Sequence, residues 1–414
     1  MSGYGAGLVV VGASLAGLRA VEAVRAAGYG GRVTLVGAEP HLPYDRPPLS
    51  KAFLHPGTEP RYLVPEDDLR DRLGVDLRLG APATALDPPT RSVVIGADGA
   101  DDVRYAALVI ATGSAPRWLP ACPALPGVET LRTLDDAHRI RRALLAGARV
   151  VVVGAGFIGS EVASSARALG NEVTVVEAAP APLVRAAGPV VGAALGRLHL
   201  RHGTDLRLGV AVAAVHGGER VEAVELSDGS VVPADLVVVG IGSTPATGWL
   251  AGSGVELAPD GGVVCDEYLA TSVPGVHAAG DVAHWPNEAP GAGHTRLENW
   301  TGAAEQGAFA ARNALAGLAG GAVGERRPYA TVPYVWSDWY DSRVQFVGHP
   351  AADEVRVVSG DLDERRFVAL YRSGDRLSGA VTLNEPGKVM KYRRLIQRGA
   401  DWQAALDLYA APAA

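Results

Sequence analysis

The chain has 414 residues, enough for about three domains at the usual ~100 to 200 residues each, and its 48% hydrophobic content with few polar tracts predicts order throughout. A net charge of -7 supplies no basic footprint for a phosphate backbone, which excludes nucleic acid as a general partner. No apolar run approaches the ~20 residues needed to span a bilayer, so a cytoplasmic protein is expected.

The first element is the apolar run Leu8 to Val11, which no Lys or Arg precedes and a glycine turn follows; it reads as a buried strand rather than a leader. It runs into Gly12-Ala-Ser14-Leu15-Ala16-Gly17, a helical stretch through Ala27 and a second strand, Val33 to Val36, ending at Gly37-Ala38-Glu39. The same order recurs downstream. Val150 to Val153 runs into Gly154-Ala-Gly156-Phe157-Ile158-Gly159, a helix through Leu169 and a strand, Val173 to Val176, ending at Glu177. Strand, glycine turn, helix, strand and terminal acid form the unit that binds a dinucleotide. Glycines let the backbone approach a pyrophosphate, whose charge meets the unpaired N–H groups of the helix start, and the acid holds a ribose hydroxyl. The first copy departs from the pattern twice: Ser14 replaces the second glycine, and Glu39 lies two residues beyond the place of Glu177.

Two further strand ends flank the second copy. Leu108-Val-Ile-Ala111-Thr112-Gly113 ends in a small-residue turn, and Val276-His-Ala-Ala-Gly280-Asp281 ends in Gly-Asp. Together with the two glycine turns they resemble the motifs of the glutathione-reductase-type flavoproteins, in which that aspartate accepts a hydrogen bond from the FAD ribityl chain. The resemblance implies an α/β fold with two Rossmann-like dinucleotide-binding domains and a C-terminal α+β domain. The expected FAD-binding domain is discontinuous, 1–112 and 241–322, interrupted by an NAD-binding domain at 113–240 whose end repeats the strand-then-glycine pattern at Asp235 to Gly242. A Gly/Ala-rich linker, Leu315 to Gly324, leads to an interface domain at 323–414. In it, residues 331–384 alternate like strands and 388–409 look helical.

Pro43-Tyr44-Asp45-Arg46-Pro47-Pro48-Leu49-Ser50-Lys51 resembles a hallmark of the oxygenase-coupled ferredoxin reductases, the putidaredoxin reductase and biphenyl dioxygenase reductase type. Leu131-Arg132-Thr-Leu-Asp-Asp136, Glu298-Asn-Trp300 and Trp336-Ser-Asp338 extend the likeness over nearly the whole chain. The resemblance implies FAD contacts at Gly12, Ser14, Leu15, Ala16, Gly17, Glu39, Arg46, Pro47, Lys51, Ala83, Ala111, Thr112, Gly113, Arg132, Asp281 and the Trp300 backbone. It implies NAD contacts at Gly154, Gly156, Phe157, Ile158, Gly159, Glu161, Glu177, Arg185, Gly242 and Glu298. Lys51 and Glu161 are the implied catalytic pair beside flavin N5, with hydride passing from NADH to FAD and single electrons then to an iron–sulfur ferredoxin.

The residues add independent arguments. Lysine occurs only at 51, 388 and 391 in a chain otherwise rich in arginine; at 51, a compact point charge does what the planar fork of Arg cannot. The helix expected after Asn299 would aim its N-terminus at the flavin N1/C2 carbonyl, where charge develops on reduction. Glu177, with no Arg directly after it, predicts NADH over NADPH. The two cysteines, Cys122 and Cys265, form no CxxC or Cx4C pair, so electrons must leave to an outside acceptor rather than through a disulfide. Alternatives are a rubredoxin reductase, an NADH oxidase, whose usual redox cysteine is absent beside Lys51, and an interaction protein like apoptosis-inducing factor, whose basic surface the composition lacks. His199 and His202 have no metal-ligand context and are expected at the surface; no metal is expected. Between Pro386 and Ala400 the cations Lys388, Lys391, Arg393, Arg394 and Arg398 stand with no acid among them, a candidate docking patch for an acidic ferredoxin.

Overall fold

The computed structural model describes residues 6–99, 101–120, 122–287, 293–317 and 325–410. The part of the expected linker at 318–324 lies outside the described residues. The chain packs as two compact units: residues 1–45, 61–115 and 244–331 form one, and 46–60, 116–243 and 332–414 the other.

The first unit is built on a parallel sheet in the order Val75–Arg78, Val33–Val36, Gly7–Val11, Asp101–Ile110 and Val276–Ala278. Ser92–Ile95 pairs antiparallel with the first residues of Asp101–Ile110, 101–104, and Ala83–Asp87 pairs antiparallel with Ser92–Ile95 in turn. Gly7–Val11 and Val33–Val36 are buried at every position, which explains why they read as continuous apolar runs rather than alternating ones. The helices Leu15–Ala26 and Trp300–Ala316 meet so closely that a Cβ at Gly307 would stand 2.1 Å from the Ala16 carbonyl oxygen. Bulk at Gly307 would push one helix off the other.

The second unit contains a five-stranded parallel sheet in the order Asp205–Leu208, Val173–Glu177, Val150–Val153, Leu236–Val239 and Val128–Thr130. An antiparallel meander of Val212–Gly217, Val221–Leu226 and Val231–Pro233 is a separate sheet. The alternating stretch near the C-terminus is a five-stranded antiparallel sheet, Tyr334–Trp339, Ser342–Gly348, Arg376–Leu383, Phe367–Ser373 and Glu354–Gly360 in spatial order. The helices Pro386–Gln397 and Trp402–Ala410 follow it.

The long helix Val184–Arg201, broken at Gly188 before Pro189, buries Leu195 and Leu198 in one cluster with Trp339, Phe346 and Phe367 of that sheet. His199 lies on the same buried face, which corrects its expected surface placement. Its Nδ1 is 2.8 Å from the Tyr340 hydroxyl and its Nε2 3.2 Å from Ser160 Oγ. Burial pushes its pKa down to about 4, so it sits neutral in the core. His202, half-buried, stacks on Tyr340 at 4.2 Å.

Candidate functional site

In the first unit the chain turns at Gly12 with φ of 124°, and a Cβ there would lie 2.0 Å from the Ala111 carbonyl oxygen. Gly17 lets the helix sit on the turn: its Cβ would meet the Gly12 carbonyl oxygen at 1.9 Å. Ser14 is the N-cap in extended backbone, φ −124°, a conformation any residue adopts, and this is why the serine is tolerated there. Leu15 and Ala16 are buried behind it. A Cβ at Gly280, whose φ is 77°, would stand 3.3 Å from the Ala16 Cβ, so the Gly-Asp turn and the first glycine turn converge. The strand end at Ala111 and Thr112 lies against the same turn, and the Thr112 hydroxyl donates to the Ala246 carbonyl at 2.8 Å.

Around this cradle the polar groups are held. Glu39 accepts from the Tyr44 hydroxyl at 2.5 Å, a partner absent from the sequence-based expectation. Asp281 accepts from Ser114 Oγ at 3.1 Å, and its backbone carbonyl accepts from Arg296, which also reaches Glu298 at 2.6 Å and Asp260 at 2.7 Å. The Gly280 amide donates to Gln306 Oε1 at 2.8 Å. Asn299 caps the helix Trp300–Ala316 through the Gly302 amide, and the Trp300 indole donates to Asp45 at 2.8 Å. Ala83 opens the antiparallel strand of this unit, and Gly113 turns with φ of 69°.

The second unit repeats the device with stricter glycine. Gly154 has φ of 100° and a Cβ there would lie 2.5 Å from the Gly240 carbonyl oxygen; at Gly159 it would lie 2.1 Å from that of Gly154. Glu177, half-buried, accepts from the amides of Ala155 and Ala179, both at 2.8 Å, and so folds onto its own glycine turn. Arg185 is exposed, with its guanidinium 3.9 Å from where a Cβ of Gly242 would stand. Phe157 sets its edge on Phe346 at 5.3 Å, while Ile158 is exposed.

Four residues expected at the flavin also belong to this second unit: Arg46, Pro47 and Lys51 because the segment 46–60 packs with it, and Arg132 within 116–243. Phe53 is fully buried there, against His138 at 5.0 Å and under the Arg141 guanidinium. Arg46 donates to the Arg132 carbonyl at 2.6 Å, and the Arg132 amide is in turn fixed by Asp136, the acid of a capping box on the helix Leu134–Leu145. Lys51 donates to the Pro47 carbonyl at 3.2 Å and pairs with Glu161 at 2.7 Å.

Glu161 is almost wholly buried on the helix Phe157–Ala168, and two hydroxyls reach it: Ser50 at 2.5 Å on one oxygen, Ser337 at 2.5 Å on the other. Burial pushes its pKa up, against the pull of the Lys51 cation and both hydroxyls.

The residues present fit two dinucleotides. Each glycine turn excludes a Cβ and delivers the start of a helix whose first turn carries no acidic residue, so the exposed N–H groups and helix dipole remain suited to a pyrophosphate. The capped helix Leu134–Leu145, with Asp135 and Asp136 in its first turn, is closed to an anion by comparison. Among the described residues no cluster of His, Cys, Asp and Glu could hold a metal ion.

A protein with two glycine-turn dinucleotide folds and a separate C-terminal sheet belongs to the two-dinucleotide oxidoreductase class. This chain belongs to the pyridine nucleotide-disulphide oxidoreductase family, whose model matches residues 6–307, and residues 334–410 match the reductase C-terminal domain. It is 37% identical over 394 residues to rhodocoxin reductase of Rhodococcus erythropolis, covering 94% of this chain and 89% of that protein. The ferredoxin–NAD(+) reductase component of the p-cumate 2,3-dioxygenase system of Pseudomonas putida is likewise 37% identical, over 94% of this chain and 93% of its own. In a solved covalent complex of putidaredoxin reductase with putidaredoxin, the matching chain is 32% identical and superposes with a TM-score of 0.89 over 98% of both chains.

Proposed function

We propose that the protein is an FAD-containing reductase that takes hydride from NADH and passes single electrons to a small iron–sulfur ferredoxin serving a monooxygenase or dioxygenase. The observation that carries this reading is the pair of half-buried Lys51 with buried Glu161, set in the motif that resembles those reductases, in a chain without a cysteine pair. Cys265 is buried with its thiol pushed up to about 12, and burial raises that of Cys122 as well, so neither is primed as a thiolate.

FAD, when bound, supplies a two-electron acceptor for the hydride and a one-electron donor to the ferredoxin. The chain's residues bind, orient and balance charge. Residues 1–112 and 241–322 are assigned to FAD, 113–240 to NAD and 323–414 to the interface domain. Gly12, Ser14, Leu15, Ala16 and Gly17 receive the FAD pyrophosphate, Glu39 its ribose and Asp281 its ribityl chain. The amides at the start of Trp300–Ala316 stabilise negative charge on the isoalloxazine. Gly154, Gly156 and Gly159 receive the NADH pyrophosphate; Glu177 bonds the free ribose hydroxyls and repels a 2'-phosphate. Lys51 presents a proton-bearing cation whose charge Glu161 balances.

The reading places the reductase in the cytoplasm; among the described residues no helix is long and apolar enough to cross a membrane. NADH-dependent reduction of a panel of purified ferredoxins and rubredoxin, with NADPH as control, tests the reading. Turnover of none of them would overturn it; rubredoxin alone would establish the rubredoxin reductase alternative.

The docking face lies on Pro386–Gln397. Val389, Tyr392 and Ile396 face the core, leaving Lys391, Arg394 and Arg398 exposed at positions that share a face. Lys388 leans toward Glu385 at 3.8 Å, and half-buried Arg393 donates to the Val332 carbonyl, so Lys391 and Arg394 are the informative pair. Steering acts over about 10 Å at 0.1 M salt. Reversing both charges should raise the KM for ferredoxin roughly threefold to tenfold at low salt and leave ferricyanide reduction unchanged. If both acceptors respond alike, or neither does, docking lies elsewhere.

A further inference from the structure

The Lys51–Glu161 pair is completed from the C-terminal sheet. On the edge strand Tyr334–Trp339, Ser337 is fully buried and its hydroxyl lies 2.5 Å from Glu161 Oε1. An ionised carboxylate only accepts, so Ser337 is the donor in that bond. The Trp339 indole N–H, itself a donor only, points at the same Ser337 oxygen from 2.8 Å and occupies it as an acceptor. This leaves the serine proton directed at Glu161. A protonated Glu161 could keep this bond only with its proton on Oε2, toward Ser50, and its neutral Oε1 would then accept more weakly than a carboxylate oxygen, so the arrangement favours the ionised form.

We propose that Ser337, oriented by Trp339, is a positioning residue that holds Glu161 ionised as the counter-ion of Lys51. The inference rests on the role proposed above for Lys51. It adds that a residue of the C-terminal domain sets the charge state of the pair. The carboxylate has three donors, Lys51 and Ser337 on one oxygen and Ser50 on the other, which work against its desolvation without cancelling it, so the loss of one donor tells on its charge state.

Among the described residues Lys51 is the charged group that acts on Glu161. His199, behind Ser160, is held neutral with its pKa near 4; Tyr340 beside it is pushed up to about 12. Asp338, next along the strand, pairs with Arg343 at 3.6 Å.

The test is an infrared titration of the holoprotein. The carboxylic-acid stretch of Glu161 is isolated as the difference between each protein and the same protein carrying Glu161→Gln. Removing the donor disfavours the ionised form, so in Ser337→Ala the protonated band should persist to higher pH, by about one to two pH units, the shift that a hydrogen bond to a charged group carries. The acid limb of flavin reduction by NADH should move the same way, with FAD content unchanged.

Because Ser337→Ala also strips the buried Trp339 N–H of its acceptor, Ser337→Cys, which keeps the volume and a weak donor, is measured beside it and should give a smaller shift of the same sign. If neither variant that folds shifts the Glu161 titration, the proposal is overturned. Lys51→Met is the separate control. It should keep FAD and slow reduction about tenfold to a thousandfold. Reduction at the wild-type rate would remove the catalytic role of Lys51, whereas the infrared titration would still decide whether Ser337 governs the ionisation of Glu161.

Discussion

In the first glycine turn a serine stands at the middle position and the acid, Glu39, is held by a tyrosine hydroxyl; in the second, Gly156 stands there and Glu177 is held by two amides of its own loop. The outer glycines do not differ in this way. Gly12 and Gly154 both have strongly positive φ and both face a carbonyl oxygen of the neighbouring strand end within 2.5 Å of a would-be Cβ. Gly17 and Gly159 are likewise closed to a Cβ, which would meet the carbonyl oxygens of Gly12 and Gly154 at 1.9 and 2.1 Å, so the fold demands glycine at the first and third positions of each turn and leaves the middle position open to the ligand's requirements. Folding constraints and binding constraints can be separated residue by residue.

The largest effect is expected where the two turns agree. Gly12→Ala combines an unfavourable φ with a backbone collision and should destabilise the protein by about 2 to 6 kcal/mol, the sum of typical strain and overpacking costs. Gly154→Ala should do the same in the second turn. Denaturant titration and the FAD content of the purified protein measure it. A yellow Gly12→Ala protein of unchanged stability would show that the turn relaxes in a way the backbone does not suggest.

The acids should separate the two turns next. Glu177→Ala removes the carboxylate that a 2'-phosphate would meet, and the preference for NADH in kcat/KM should narrow by about tenfold to a hundredfold, roughly 1.4 to 3 kcal/mol. Glu39→Gln should weaken FAD retention severalfold and leave the nicotinamide preference alone. A cofactor ratio that responds to Glu39 and not to Glu177 would reverse the assignment of the two turns.

What the sequence showed of this arrangement was whatever depends on near neighbours. The glycine turns, the small-residue strand end at Thr112, Gly280-Asp281 and the strand alternation after residue 331 are local patterns, and each forms its element at the expected place. The partners of the functional side chains were not legible. Ser50 and Ser337 lie 111 and 176 residues from Glu161, and a serine in a strand carries no mark of the carboxylate it will face. Gln306 and Arg296, which hold the Gly-Asp turn, were missed for the same reason. The surface placement expected of His199 rests on its lack of a metal-ligand context, which says nothing about what its helix packs against. Its burial follows instead from the packing of that helix on a sheet formed some 140 residues later.

The smallest effect on stability is expected at the middle glycine, and there the comparison is sharpest. Gly156 is the N-cap of its helix with φ −77° and ψ −172°, extended backbone open to any residue, and a Cβ would come no nearer than 3.9 Å to the Gly240 carbonyl oxygen. Ser14 occupies the corresponding cap at φ −124° without strain. Serine caps helices at least as well as glycine and restricts the unfolded chain more, so Gly156→Ser should be neutral or stabilising by up to about 1 kcal/mol. If the second turn kept its glycine for the close approach of the NADH pyrophosphate, the same variant should raise the KM for NADH severalfold, because the new Cβ and hydroxyl stand where the phosphate would lie. A rise in KM with unchanged or improved thermal stability would assign Gly156 to the ligand alone. Unchanged KM and stability together would mean that the middle glycine is dispensable in both turns and that the pyrophosphate is held by the helix start without it.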